Sequence, residues 1–225
     1  MSKCKFRVLL LMLAVFTVGS QAWADVALTT AFDNSIFRGY ISYNFDTNKD
    51  GSLSDAEISK AVSIDLSVWP NVEAINTLQG IEYLTSLCEL KTGRTNLAKA
   101  DLSKNTELMS LDINANIYSS LELDISNTSI ISLDISAEYP TITAKNCKPL
   151  RYVCLRYTNC RGLDVEGCTA LKTIEHHGSA IKSFSKSLNV KGCTSLETID
   201  IAYGSDIGSS GTFPDFSDCT NLKTL

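Results

Sequence analysis

From residue 85 onward the chain repeats one short phrase. Thr85-Ser-Leu87-Cys-Glu-Leu90 returns as Thr106-Glu-Leu108-Met-Ser-Leu111, Thr128-Ser-Ile130-Ile-Ser-Leu133 and Lys148-Pro-Leu150-Arg-Tyr-Val153. It returns again as Thr169-Ala-Leu171-Lys-Thr-Ile174, Thr194-Ser-Leu196-Glu-Thr-Ile199 and Thr220-Asn-Leu222-Lys-Thr-Leu225. The leading aliphatic residues lie 21, 22, 20, 21, 25 and 26 positions apart. A unit of that length cannot bury its apolar edge alone. Only neighbours stacked upon it can do so, and the fold must therefore be an array of coils.

The spacing L-x-x-L-x-L at this period is the leucine-rich repeat signature. Within each phrase a short strand is expected. In Leu111-Asp112-Ile113 two aliphatics point inward and Asp112 points outward, and Leu133-Asp134-Ile135 and Ile199-Asp200-Ile201 alternate in the same way. Val153-Cys154-Leu155 fits with an outward cysteine, and Ser63-Ile64-Asp65-Leu66-Ser67 reads as a strand ahead of the first full repeat. A second cluster follows in each coil, as in Ala100-Asp101-Leu102-Ser103, Leu123-Asp124-Ile125-Ser126 and Leu163-Asp164-Val165. Its polar residue is expected to cap a turn by bonding to backbone N–H groups. These readings predict an α/β-type repeat solenoid over residues 63–225, with a parallel β-ladder and irregular or 3-10 return segments.

One residue per coil stacks into a column along such a solenoid. Cys147, Cys168, Cys193 and Cys219 each stand three places before the leading aliphatic, where the earlier coils have Asn105 and Asn127. Small buried thiols filling the turn are expected there, free rather than bridged. No C-x-x-C pair suggests zinc, and His176-His177 is the one histidine pair. The phrases Leu102-Ser-Lys-Asn-Thr-Glu-Leu108 and Gly192-Cys-Thr-Ser-Leu-Glu-Thr-Ile199 resemble bacterial cell-surface leucine-rich repeat proteins of the internalin kind. The cysteine-bearing coils resemble the internalin subtype with a stacked cysteine ladder. In that subtype the ladder cysteine lies inside the strand, where this chain has Thr92, Ile113, Ile135, Leu155, His176 and Ile201. The resemblance implies a surface-located binding protein and covers about two-thirds of the chain.

Ahead of the repeats, Asp46-Thr-Asn48-Lys-Asp50-Gly51-Ser52-Leu53-Ser54-Asp-Ala-Glu57 matches the twelve-residue EF-hand calcium loop at every required place. Asp46, Asn48 and Asp50 offer oxygens from alternate positions, and Gly51 allows the sharp turn. Ser52 offers its carbonyl, Ser54 acts through water and Glu57 binds with both oxygens. Phe32, Ile36, Phe37, Tyr40 and Ile41 recur at helical spacing before the loop, and residues 56–62 can form a short helix after it. Calcium is therefore the expected cofactor. A lone loop suits the weak affinities, roughly 10⁻⁴–10⁻³ M, of extracellular calcium modules. Residues 25–62 then make a small helical EF-hand-like module that caps the open end of the solenoid.

Targeting and charge narrow the function. Lys3, Lys5 and Arg7 precede an apolar run over Val8–Gly19, and Ala22-Trp23-Ala24 supplies a small–x–small cleavage pattern. Residues 1–24 therefore read as a signal peptide, and an exported protein, extracellular, at the cell surface or periplasmic, is expected to begin at Asp25. No second apolar stretch follows to span a membrane. Cleavage removes three of the 20 Lys and Arg residues and none of the 25 Asp and Glu, leaving a net charge of −8. Nucleic acid is excluded on that balance, because its binding needs clustered basic residues. No G-x-S-x-G, H-E-x-x-H or Walker pattern is present, so a non-enzymatic scaffold or adhesin for a protein or glycan is expected. A calcium-stabilised hydrolase or a mainly structural envelope protein is the alternative. The outward ladder column reads Asp65, Lys91, Asp112, Asp134, Cys154, Glu175 and Asp200, and Asp112, Asp134, Glu175 and Asp200 form the candidate ligand-binding face. The chain stops at Leu225 inside a repeat, which suggests a fragment or a truncated product.

Overall fold

The computed structural model describes residues 25–115, 120–137, 139–156, 158–177, 187–201 and 214–224. The signal-peptide segment lies outside these residues. Seven strands make the principal parallel sheet: β3 (Ser63–Asp65), β4 (Glu89–Thr95), β6 (Ser110–Ala115), β8 (Ser132–Ser136), β10 (Tyr152–Arg156), β12 (Thr173–His177) and β14 (Thr198–Ile201). Their spatial order follows the chain, as stacking of consecutive coils requires. The pairing register sets Asp65 beside Lys91, Lys91 beside Asp112 and Asp112 beside Asp134. It then sets Asp134 beside Cys154, Cys154 beside Glu175 and Glu175 beside Asp200. This is the outward column expected from the alternation. The inward neighbours Ile64, Leu90, Leu111, Leu133, Val153, Ile174 and Ile199 are all buried.

The return side differs from expectation. In place of the irregular or 3-10 segments, five returns are short strands: β5 (Lys99–Asp101), β7 (Glu122–Asp124), β9 (Thr141–Thr143), β11 (Gly162–Asp164) and β13 (Ser187–Asn189). They form a second parallel sheet in the same coil order. The reason is the same alternation. Ala100, Leu123, Ile142, Leu163 and Leu188 face the core in one register, which leaves extended backbones side by side at the strand spacing of about 4.8 Å. Turns of 3-10 type, Val72–Ala74 and Ile81–Tyr83, occur in the first coil. No α-helix lies in the described residues of any coil, so the architecture is a β-solenoid.

Four of the five return strands, all but β9, end in the turn that their polar residue dictates, and Asp215 makes the same turn in the last coil. The Oδ1 atoms of Asp101, Asp124, Asp164, Asn189 and Asp215 accept from the backbone N–H two residues on, at 2.9–3.1 Å. Such Asx turns satisfy donors that the corner would otherwise leave unpaired.

The N-terminal residues pack against the β3 end. They comprise β1 (Val26–Ala27), α1 (Leu28–Ala31), α2 (Ser35–Asn44), β2 (Ser52–Leu53) and α3 (Asp55–Ile58). Helix α2 starts where the Asn34 carboxamide accepts from the N–H groups of Ile36 and Phe37 at 3.0 Å. Its buried face, Phe37, Tyr40 and Ile41, joins Phe32 and Leu53 in one core that continues through the solenoid to Cys219. Helix α3 stops at Ile58, short of the expected extent, because the chain turns at Ser59–Lys60 to enter β3. Strands β1 and β2 pair antiparallel, with Val26 beside Leu53, a pairing that no sequence period signals.

Gly80 fixes how closely this unit docks. Its φ is +100°, and a Cβ there would lie 2.4 Å from the Phe32 ring and 2.7 Å from the Ala31 carbonyl oxygen. Both the left-handed backbone and the contact demand glycine. Gly80→Ala is therefore expected to destabilise the protein by about 1–3 kcal/mol. Gly39 is the opposite case. It lies on the exposed side of α2, and a methyl group added there would meet nothing within 4 Å. Gly39→Ala is expected to stabilise by about 0.5–1 kcal/mol, the difference in helix propensity. Urea midpoints of the two variants check both signs.

Candidate functional site

The twelve residues of the candidate calcium loop lie between α2 and the end of α3. Gly51, at the sixth place, has φ +83°, and Lys49, at the fourth, has φ +60°. Asp46 Oδ2 accepts from Gly51 N at 3.2 Å, Asn48 Oδ1 from Asp50 N at 3.1 Å and Asp50 Oδ1 from Ser52 N at 2.8 Å. Asn48 Nδ2 donates to Asp50 Oδ2 at 2.7 Å. The three short side chains thus fold into their own loop from alternate positions. Glu57 is 4% exposed and ties the two ends together. Its Oε1 accepts from Thr47 N at 2.7 Å and Thr47 Oγ1 at 2.8 Å, and its Oε2 from Ser54 N at 3.0 Å and Ser54 Oγ at 2.8 Å. Those bonds, the Ser54 backbone first, hold the Glu57 carboxyl down at about 2 and keep it ionised.

One atom in this loop is left over. Asp46 is 3% exposed, and its Oδ1 is buried without a hydrogen-bond partner. A buried carboxylate oxygen with no donor is costly and calls for a cation or water. Among the described residues, no three His, Cys, Asp and Glu side chains converge on one point suited to a metal ion. The loop motif does not rely on three such groups, because Asn48, the Ser52 carbonyl and Ser54 belong to its set. The oxygens of Glu57 are meanwhile turned onto Thr47 and Ser54. The donor set is all hard oxygen, which fits calcium in kind.

The candidate ligand-binding face lies on the ladder, and its column splits into parts. Lys91 pairs with Asp65 at 3.9 Å and Glu89 at 3.5 Å, all half-exposed, so these ion pairs add little stability but do balance charge. Asp112 and Asp134 are exposed neighbours in register, and no salt bridge among the described residues offsets them. They border a shallow concavity with Leu111, Ile113 and Asn114. Cys154 departs from the expected outward, solvent-facing thiol: it holds the outward register but is fully buried. Beside it the Tyr152 hydroxyl donates to the Glu175 carboxylate, an interaction that pushes the phenol pKa up. Glu175 is consequently half-buried and partly engaged, while Asp200 next to it is exposed. Sequence reasoning missed Tyr152, because a tyrosine at the first position of a strand carries no signal of the direction in which its side chain leans.

The thiol column is where the cysteine spacing put it, with one correction. In the third coil the column residue is Thr128, not Asn127. Asn127 is exposed at φ +63°, while Thr128 is buried and its Oγ1 lies 3.5 Å from Cys147 Sγ. That coil is one residue shorter between its return strand and its leading aliphatic, which shifts the count. The other members bond to a carbonyl of the preceding coil. Asn105 Nδ2 donates to Ile81 O at 2.8 Å, Cys147 Sγ to Ile125 O at 3.0 Å and Cys168 Sγ to Ala144 O at 2.9 Å. Cys193 Sγ donates to Val165 O at 3.2 Å and Cys219 Sγ to Val190 O at 3.7 Å. Burial pushes the Cys160 and Cys193 thiols up to about 12, which suppresses thiolate chemistry. His176 is also fully buried, its Nε2 3.0 Å from Thr158 O, so it serves as an inward ladder residue. No helix among the described residues is long and apolar enough to cross a membrane.

No family model and no curated protein matches the chain. Among solved structures, the functional domain of InlJ from Listeria monocytogenes, which includes a cysteine ladder, is similar with a TM-score of 0.50 at 21% identity. The alignment covers 91% of this chain and 43% of that one, so this chain spans less than half the length of the InlJ domain. Internalin C2 of the same organism gives a TM-score of 0.42 at 16% identity, covering 92% of this chain and 89% of that one. An internalin designated InlF gives 0.38 at 16% identity, covering 92% and 78%. The likeness is one of fold. The solenoid shares its fold with the InlJ domain.

All seven cysteines of the described residues are buried thiols outside any disulfide. Alkylation of the native protein is therefore expected to label Cys88, Cys147, Cys154, Cys160, Cys168, Cys193 and Cys219 slowly, and alkylation after unfolding without reductant to label all seven. Mass spectrometry showing two or more bridges among Cys147, Cys168, Cys193 and Cys219 would contradict the thiol column.

Proposed function

We propose that this chain is an exported, non-enzymatic binding scaffold whose ladder face takes a protein partner and whose N-terminal loop holds one calcium ion. The observation that carries the first part is the pair Asp112 and Asp134. Two exposed carboxylates in register on adjacent strands repel, since like charges directly opposite each other destabilise a sheet. The seven-strand ladder holds them in place, and a cationic surface on a partner relieves the repulsion. The fold shared with the InlJ domain supports the same reading. Asp200 and the exposed side of Glu175 extend the face beyond Cys154. A hydroxyl-rich glycan is a weaker fit, because the described ladder face offers carboxylates but no exposed aromatic platform within that column.

The test is capture on immobilised protein followed by the Asp112→Asn plus Asp134→Asn variant. Its affinity for the captured partner is expected to fall about ten-fold or more, with stability unchanged or slightly raised. Affinity for the original protein is expected to fall as salt rises. Equal binding by the variant moves the contact surface away from these residues.

The calcium reading rests on Asp46 Oδ1, the buried oxygen without a donor. Bound calcium supplies positive charge to that oxygen and to Asp50. The chain's own residues orient the set: Gly51 makes the turn, and Ser54 and Thr47 hold Glu57 at the loop's exit. The ion would thereby fix residues 25–62 as the cap of the solenoid. Calcium at ten to a hundred times a weak dissociation constant is expected to stabilise the protein by about 1.4–2.7 kcal/mol. Asp46→Ala is expected to abolish that increment and leave the repeats folded. A melting temperature that is the same in calcium and in chelator would sink this part. Export is read from residues 1–24, and N-terminal sequencing of the secreted product is expected to begin at Asp25.

A further inference from the structure

Most of the candidate calcium loop is positioned by protein contacts alone. Leu28 N donates to Gly51 O at 2.9 Å, and Val26 pairs with Leu53. Alternate residues of a strand turn their backbone groups to opposite sides, so the Ser52 carbonyl points away from β1. Leu53 is fully buried and pins this stretch to the core. Asp46, Asn48 and Asp50 are folded onto N–H groups of the loop itself, which leaves Asp46 Oδ1 buried and without a partner. The ligand position whose oxygens are fully engaged elsewhere is Glu57.

A carboxylate has about four lone-pair sites, and Glu57 fills them all. Its Oε1 accepts from Thr47 N and Thr47 Oγ1 at 2.7 and 2.8 Å, and its Oε2 from Ser54 N and Ser54 Oγ at 3.0 and 2.8 Å. Asn48 N also approaches Oε1, at 3.4 Å. The carboxylate thereby ties the second place of the loop to the ninth. A bidentate calcium ligand must turn both oxygens to the ion. Glu57 cannot do so and keep all these donors, so calcium and the Thr47 and Ser54 groups compete for the same two atoms. The two competitors differ. Ser54 is itself one of the six candidate ligand positions. Thr47 is not, and its hydroxyl makes no other hydrogen bond among the described residues.

We propose that Glu57 is the clasp of this loop and that the Thr47 hydroxyl sets how weakly calcium binds. The inference rests on the calcium reading above and adds to it the residue that regulates the site. At low calcium the Glu57 carboxylate keeps the loop closed by holding Thr47 to Ser54. Calcium binds by taking both oxygens from these donors, and its affinity is reduced by the fraction of loops in which the clasp is shut. Thr47 is a positioning residue, acting through Glu57 and touching no ion. Its competition confines binding to calcium-rich surroundings.

Calcium titration followed in two-dimensional amide NMR spectra, on the unaltered protein and on Thr47→Val, gives both the affinity and the local response. Valine keeps the branched shape and removes the hydroxyl at an exposed residue. The variant is expected to bind calcium about ten-fold more tightly, because the lost bond to a charged carboxylate belongs to the competing arrangement alone. Its melting temperature in chelator is expected to fall. A merely structural Thr47 would lower stability and affinity together. In the unaltered protein the Thr47 and Ser54 amide protons are expected to move upfield as calcium is added, since they give up a charged acceptor. That readout stands whatever the variant's stability. Affinity of the variant equal to or weaker than that of the unaltered protein, or Thr47 and Ser54 amide protons that stay in place while calcium binds, would each overturn the clasp and leave the calcium site standing. No saturable shift in either protein up to about 10 mM calcium would overturn both.

Discussion

Stacking of one coil on the next is the interaction on which everything else here depends. A single coil presents one ladder strand, one return strand and a handful of aliphatics, too little to outweigh the conformational entropy of ordering it. Laid in register, each coil covers the apolar side of its neighbour. Residues such as Leu133, Val153 and Ile174 are then fully buried, each worth about 1.5–3 kcal/mol relative to exposure. Two parallel ladders, one on each side of the coil, hold the register that makes this burial continuous.

Register turns every position of the repeat into a column, and a column concentrates the character of its residues. Inward columns of leucine and isoleucine make the core. Apart from Thr128, whose hydroxyl donates to Ile125 O of its own coil, the turn column carries amide or thiol donors that satisfy carbonyls of the preceding coil, from Asn105 through Cys219. The outward column brings Asp112 beside Asp134, a juxtaposition that separate surface acids would avoid. Columns also have ends. At β3 the N-terminal helices meet the exposed end with Tyr40 and Phe32, while at β5 the first coil supplies no strand and leaves a groove. The proposed binding face therefore follows from the same stacking that makes the core.

Much of this was legible because period-two alternation survives translation into structure without loss. The outward column from Asp65 to Asp200 could be written down residue by residue, and the Asx turns followed from Asp and Asn in fixed places. What was not legible depends on contacts between segments. The return segments span three residues each, too short for a periodic signal, and they become strands only because their neighbours do. Thr128 replaced Asn127 in the column through a one-residue deletion that counting from the leading aliphatic cannot place. Cys154 is buried by packing around it. The pairing of Val26 with Leu53 joins two-residue strands far apart in sequence. In the loop, the motif named six candidate positions, but only the structure singled out Asp46 Oδ1 as the oxygen without a partner.

A single core running from Leu28 to Cys219 implies that the N-terminal helices and the solenoid fold as one unit. Trp69 is the sole tryptophan from Asp25 onward, and it packs edge-on against Tyr40 with ring centroids 5.1 Å apart. Its fluorescence therefore reports the junction between the helices and the first coil, while far-ultraviolet circular dichroism reports the ladders. Urea unfolding of the protein beginning at Asp25, followed by both signals, tests the continuity directly. The two transitions are expected to coincide in midpoint and slope. Loss of the Trp69 signal at a lower urea concentration, with the strand signal intact, would show that the helices are a separate unit and that stacking does not carry through the junction.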